Sequence, residues 1–212
     1  MKQTNQINPF LSHLSPRPLL IVLSGPSGAG KDAILNRMRE LKYPLEFITT
    51  ATTRSRRATE RDNIDYHFVS VNKFKSMIEN KDLMEWAHVY GNYYGVPKQP
   101  VKLALERQQD VIVKVDIQGA ATIKKLAPQA VFIFVITPTL EELKMRLTQR
   151  QTETEMDVSL RLKTAEEELK QLYLFEYLVV NYRDRIDQAV SDINAIIRAE
   201  KCRLVPRDIT LE

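Results

Sequence analysis

The chain has a single cysteine, Cys202, in 212 residues. An intramolecular disulfide and a thiolate metal cluster are therefore both excluded. Long hydrophobic runs are also missing: the longest, such as Val131–Ile136, fall far short of the roughly 20 residues a membrane-spanning helix needs. Residues 1–18 are polar, carry Pro9, Pro16 and Pro18, and lack the continuous apolar core of a signal peptide. They are expected to form a flexible tail, and a cytoplasmic protein is the default. No internal repeat, low-complexity tract or long Lys/Arg block is present. With 43% hydrophobic and 27% charged residues, the composition is that of one globular domain rather than a collagen, a disordered tail or a membrane protein.

Lysine and arginine number 31 against 27 aspartates and glutamates, a net charge of +4. Nucleic acid, an anionic small substrate and plain solubility all fit such a balance. The aromatics do not interleave with the basic residues, which leaves nucleic acid a minority reading.

Four near-continuous apolar runs, Leu19–Ser24, Val111–Val115, Val131–Ile136 and Tyr177–Val180, read as strands buried on both faces. Helical patterns follow them at Lys31–Leu41, Gly119–Leu126, Leu140–Thr148 and Asp184–Cys202. In the last of these, Ile186, Val190, Ile193 and Ile197 share one face. This alternation predicts an α/β fold with a parallel sheet and crossover helices. Residues 45–97 break the rhythm. They are polar, rich in Thr, Arg and Tyr, and contain short alternating segments at Asp65–Ser70 and Leu83–Tyr90, the pattern of a small, mostly antiparallel inserted flap. Residues 150–160 form a polar connection between two helices.

Directly after the first strand comes Gly25-Pro26-Ser27-Gly28-Ala29-Gly30-Lys31. This G-x-x-x-x-G-K between a buried strand and a helix has the context of a phosphate-binding P-loop. Its backbone N–H groups curl around an anion, the helix N-terminus adds partial positive charge, and Lys31 reaches the β and γ phosphates. The Ser or Thr that usually follows, with its hydroxyl on Mg²⁺, is here Asp32. That carboxylate can belong to a Mg²⁺ shell or can simply complement the helix dipole.

The flap carries Thr52-Thr53-Arg54-Ser55-Arg56-Arg57, Glu60, Asp65-Tyr66-His67-Phe68, Glu85-Trp86-Ala87 and Gly91-Asn92-Tyr93-Tyr94-Gly95. Beyond it lies Val115-Asp116-Ile117-Gln118-Gly119. Arg54 and Arg57 are suited to gripping a phosphate dianion with forked donors, and the Tyr66 and Tyr94 hydroxyls can join them. A carboxylate at Glu85 can accept from both N1–H and the 2-amino group of guanine, whereas adenine offers it neither. Asp116 ends a buried strand, where open α/β sheets place ligand groups, and it can equally cap the helix that follows.

Together with the P-loop, in this order and spacing, these segments closely resemble guanylate kinase over about residues 19–202. The resemblance implies a P-loop NTPase core (19–49, 98–145 and 162–205 of a 19–205 domain) with a parallel sheet flanked by helices. It adds an inserted GMP-binding flap over about 50–97 and a helical lid over about 146–161. It implies ATP-dependent phosphorylation of GMP, and of dGMP, with Mg²⁺. Lys31, Arg54, Arg150 and Arg161 form the catalytic set. ATP lies on Gly25 to Asp32, Arg150 and Asn181, and GMP on Thr50, Arg54, Arg57, Glu60, Tyr66, Glu85, Tyr94 and Asp116. Asp32 is the candidate Mg²⁺ ligand. ATP and GMP are the implied partners, with neither nucleic acid nor membrane, and the enzyme is expected to be a monomer or homodimer.

Several positions depart from the family pattern. Val96 stands where a base-reading Ser or Thr is usual, Arg56 replaces a proline, and Thr59 and Asn63 replace glycines. Asparagine can mimic glycine in the left-handed region. Lys114 stands where many relatives carry an acid. Asp32 and the Tyr-Tyr-Gly-Val of the flap also resemble a ribose 1,5-bisphosphate phosphokinase, which needs no guanine reader. A non-catalytic binding module of the guanylate kinase type would be expected to lose the P-loop or the arginines.

Overall fold

Strand β1 (Leu20–Ser24) is buried along its whole length because helices cover both faces of its sheet. The computed structural model describes residues 17–58, 60–149 and 155–211. In it β1 lies between β7 (Asp110–Lys114) and β8 (Val131–Ile136), with β2 (Leu45–Phe47) and β9 (Tyr177–Val180) at the edges. The order is β2-β7-β1-β8-β9 and every pairing is parallel. Ile21, Leu23, Ile133 and Val135 pack on one side against α1 (Lys31–Glu40) and α7 (Ile186–Lys201), through Ile34, Met38, Val190 and Ile193. Leu20, Val22, Val111, Val113 and Phe132 pack on the other against α3 (Lys98–Glu106) and α4 (Ile117–Leu126), through Val101, Ala104, Ala120 and Ile123. With no face left to water, β1, β7 and β8 are apolar apart from Ser24, Asp110 and Lys114 at the strand ends. Each such side chain contributes about 1.5–3 kcal/mol on burial.

The expected α/β architecture is therefore present, with its strands displaced by at most a residue. Other elements went unpredicted: β2, a helix within the flap and helix α3, while another helix begins at Glu155, inside the expected 150–160 connection. Strand β2 has only three residues, too few to show a period. Helix α2 (Val71–Glu79) starts inside the flap, where the Ser70 hydroxyl accepts from Lys73 N at 3.2 Å. Phe74 is its buried residue.

The second sheet has the order β4-β3-β6-β5, built from β3 (Ala51–Thr52), β4 (His67–Phe68), β5 (Leu83–Val89) and β6 (Asn92–Pro97). The β3–β6 and β5–β6 ladders are antiparallel and β3–β4 is parallel. Tyr90 and Gly91, both at positive φ, form the two-residue turn of the β5–β6 hairpin. Asn63 takes the left-handed conformation at φ 62°, as its replacement of a glycine led us to expect. The register of β5 slips between Leu83 and Glu85. Met84 and Glu85 are consequently both buried, and a bulge of this kind re-aims a side chain. Helices α5 (Leu140–Thr148) and α6 (Glu155–Leu169) complete the fold, joined by a small core of Leu143, Leu147, Val158 and Ala165.

At the amino-terminal edge of the main sheet, Arg207 is buried and holds both oxygens of the buried Glu200, at 2.7 and 2.8 Å. It also donates to Glu176 at 3.0 Å and to the Ala130 carbonyl at 3.2 Å. Arg207→Met leaves the buried Glu200 facing only the more distant Arg203, at 3.7 Å, among the described residues, and should lower the unfolding free energy by about 3–5 kcal/mol. Arg207→Met with Glu200→Met should recover most of that loss in chemical denaturation.

Candidate active site

The chain leaves β1 at Ser24 and folds back at once over the sheet. A Cβ at residue 25 would lie 2.0 Å from the Val135 carbonyl oxygen of β8, so only glycine fits at φ +139°. The loop then runs to Gly30, and α1 begins at Lys31. The Lys31 ammonium donates back to the carbonyls of Gly25 and Pro26. Burial pushes its pKa down, against the opposing pull of Glu168 and Asp32. The loop is braced from beneath by Asn181, whose side chain donates to the Ala29 carbonyl at 2.8 Å. Arg146 reaches the same carbonyl at 3.3 Å and the Asn181 carbonyl at 2.8 Å. Asn181 and Arg146 also line a cavity of about 210 Å³ together with Tyr182 and Ile186.

A larger cavity of about 390 Å³ lies between the P-loop, the flap and α6. The loop residues Gly25 to Gly28 and Gly30 form its floor with Lys31 and Asp32, while Ala29 turns its carbonyl to the braces below. Arg161, projecting from α6, donates to the Ser27 hydroxyl at 2.6 Å and lies 4.8 Å from the centre of the Tyr90 ring. Arg150 lies outside the described residues.

Arg54, Arg57, Tyr66 and Tyr94 converge on the opposite wall. Arg54 sits over the Tyr66 ring at 5.5 Å, and the Tyr66 and Tyr94 rings meet edge-on at 6.1 Å. Glu60, expected to touch nucleotide, is not among the residues that line the cavity. Its carboxylate accepts from Arg54 Nη2 at 2.6 Å and from the Arg57 backbone at 2.8 Å. Burial opposes its charge, yet Arg54 and Arg57 hold its carboxyl below the usual range. This one carboxylate thus ties Arg54 to the Arg57 backbone.

Glu85, Thr50 and Asp116 line the far end of the cavity. Glu85 is 4% exposed; burial, and then the neighbouring Asp116, push its pKa up to about 8, while the Val96 N–H donates to it. The Val96 side chain is buried in the core, so only its backbone serves this end. Helix α4 comes so near that a Cβ at residue 119 would stand 2.6 Å from Glu85 Oε2, which explains glycine there. The Thr50 hydroxyl donates to the Lys114 carbonyl at 3.2 Å. Asp116 caps α4, accepting from Gly119 N at 2.8 Å, and burial raises its pKa. It is thus both a helix cap and a cavity wall.

Two charged residues join this set without having been singled out as site residues. Glu168 is 9% exposed, and its Oε2 has no hydrogen-bond partner among the described residues. Burial pushes its pKa up to about 7, with Lys31 opposing. Its spacing of seven residues from Arg161, two helical turns, is the signal that could have found it. Lys114, at the end of β7, places its ammonium on the Asp32 carboxylate and 3.8 Å from the centre of the Tyr66 ring. A divalent cation at Asp32 would face that ammonium, so Asp32 does not fit Mg²⁺. Among the described residues, no group of three or more His, Cys, Asp or Glu side chains could hold a metal ion, and no helix is long and apolar enough to cross a membrane.

A sequence profile for guanylate kinase matches residues 17–200. Guanylate kinase of Caldanaerobacter subterraneus subsp. tengcongensis is 47% identical over 186 residues, 88% of this chain and 89% of that protein. Guanylate kinase 2, chloroplastic/mitochondrial, of rice is 42% identical over 197 residues, 92% of this chain and 69% of that protein. The crystal structure of guanylate kinase from Anaplasma phagocytophilum superposes with a TM-score of 0.74 at 28% identity, covering 90% of this chain and 89% of the other. The chain belongs to the guanylate kinase family.

Proposed function

We propose that the 390 Å³ cavity is where this chain phosphorylates GMP, and dGMP, to the diphosphate at the expense of ATP. The observation that carries the reading is the convergence of Arg54, Arg57, Tyr66 and Tyr94 on the cavity whose floor holds Lys31. One wall binds an acceptor phosphate and the floor a donor triphosphate. ATP phosphates take the P-loop N–H groups, Lys31, Arg161 and Arg150, with the adenosine near Asn181 in the 210 Å³ cavity alongside. The guanine edge takes Glu85, with Thr50 and Asp116 beside it.

The acceptor oxygen belongs to a phosphate monoester with a second pKa near 6, so it is largely ionised at neutral pH and needs no general base. The obstacle is holding two anions in line. Positioning and charge neutralisation by Lys31 and the arginines supply the acceleration. Closure of the flap (about 50–97) and of the lid (about 146–161) onto the core would exclude water. Mg²⁺ carried on the ATP phosphates would offset part of their charge; with Asp32 paired to Lys114, no step here passes through the ion. The substrates are soluble nucleotides, and a cytoplasmic location suits them.

A coupled assay with ATP and Mg²⁺ should show turnover with GMP and dGMP and little with AMP, UMP or ribose 1,5-bisphosphate. Preference for the bisphosphate would overturn the reading. Lys31→Ala should cut kcat by about 100-fold or more while GMP affinity stays within about threefold.

GMP binding should also depend on pH through Glu85. Below its pKa of about 8 the carboxyl holds a proton in the empty site, and recognition of N1–H and the 2-amino group needs the carboxylate. Binding therefore releases a proton. GMP affinity should rise about tenfold per pH unit below that value and level off above it, as read by calorimetry from pH 7 to 8.5. Glu85→Gln should bind GMP weakly with no such slope. A flat profile in the wild-type enzyme would contradict the assignment.

A further inference from the structure

Lys114 has a role that neither P-loop nor flap accounts for. Its side chain is 9% exposed at the carboxyl end of β7, where it is ion-paired to Asp32, in the first turn of α1. It also lies 3.8 Å from the centre of the Tyr66 ring. Asp32 directly follows the P-loop lysine, and Tyr66 belongs to the wall that carries Arg54 and Arg57. One ammonium thus touches a residue from each side of the cavity.

Burying a lysine is costly unless its charge is held. Burial does work against this one, yet Tyr66 and Asp32 more than offset it, and the ammonium stays protonated. The cost is not explained by a need to neutralise Asp32. That side chain is 53% exposed, and water screens it already. The asymmetry runs the other way, with an accessible carboxylate serving to hold a buried cation. Lys31 and Arg54 flank the same space, and the Lys114 charge lowers the pKa of Lys31. Fixed positive charges are therefore crowded together at this point, as they would be where two anions must meet.

We propose that Lys114 is the positive charge at the seam between the two nucleotides, held by Asp32 and Tyr66 where the facing phosphates of ATP and GMP approach. Without it, one bound anion opposes the other, because like charges a few ångströms apart in a partly dry site repel strongly. Lys114 would then govern the coupling between the two binding events more than either event alone. The proposal rests on the assignment of the P-loop to ATP and of the flap to GMP.

The test is the dissociation constant of GMP, measured by calorimetry with and without a saturating non-hydrolysable ATP analogue. The proteins are the wild type, Lys114→Met, Lys114→Arg and the double variant Asp32→Asn/Lys114→Met. The double variant is decisive, since it leaves no unpaired carboxylate to disturb folding or to repel phosphates. In the wild type and in Lys114→Arg the analogue should change GMP affinity by less than about threefold. In Lys114→Met and in the double variant it should weaken GMP by about tenfold or more relative to that variant's own affinity without the analogue, within the usual range of site–site coupling. Wild-type coupling in the double variant would show that Lys114 merely cancels Asp32 and would overturn the proposal. Failure of the wild type to bind either nucleotide alone would instead sink the assignment of the two sites, and the proposal with it.

Discussion

Parallel strands covered by helices on both faces leave one open place for chemistry, the edge where the strands end. Everything that lines the cavity from the core arrives there. The P-loop leaves β1, Lys114 and Asp116 end or follow β7, and Asn181 follows β9. The constraint is sharpest at Gly25, where the backbone of β8 comes so close that the turn has no room for a side chain. Because the loop is pressed on the sheet and its Ala29 carbonyl is held by Asn181 and Arg146, its N–H groups are preorganised rather than recruited on binding.

The flap solves the complementary problem of acceptor recognition with a different kind of sheet. Its key side chains are fixed by local devices. Glu60 ties two arginines together, a bulge turns Glu85 inward, and a bare glycine on α4 makes room for it. The acids around the cavity divide their labour according to their surroundings. Glu60, paired with Arg54 and Arg57, stays ionised and ties them together, and Asp32 is paired with Lys114. Glu85 and Glu168, more buried, are pushed toward the neutral form and can change charge when a ligand arrives.

Much of this was legible in the residues. Continuous apolar runs mark strands buried on both sides, and the P-loop announces itself because its glycines and lysine must occupy fixed places between a strand and a helix. What escaped notice did so for physical reasons. The three residues of β2 are too short to show a period. Helix α2 lies in a stretch whose polar composition hides the spacing of Val71, Phe74 and Ile78. Glu60 was expected on the nucleotide because it travels with the arginine motif, and only three dimensions reveal its bonds to Arg54 and to the Arg57 backbone. Lys114 reads as a charged residue closing an apolar strand; its pairing with Asp32 spans 82 positions, a distance no local pattern carries.

Helix α6 puts Arg161 and Glu168 seven residues apart on the face that lines the cavity, Arg161 reaching Ser27 of the loop. Each residue of an α-helix advances about 100°, so the two are in register only while the number of residues between them is kept. Substitutions on the outer face of α6 can accumulate freely. A single insertion or deletion between the two would swing one of them out toward solvent. The helix is therefore constrained in length far more than in composition, and drift in this family member should be tolerated there as exchange but not as change of spacing.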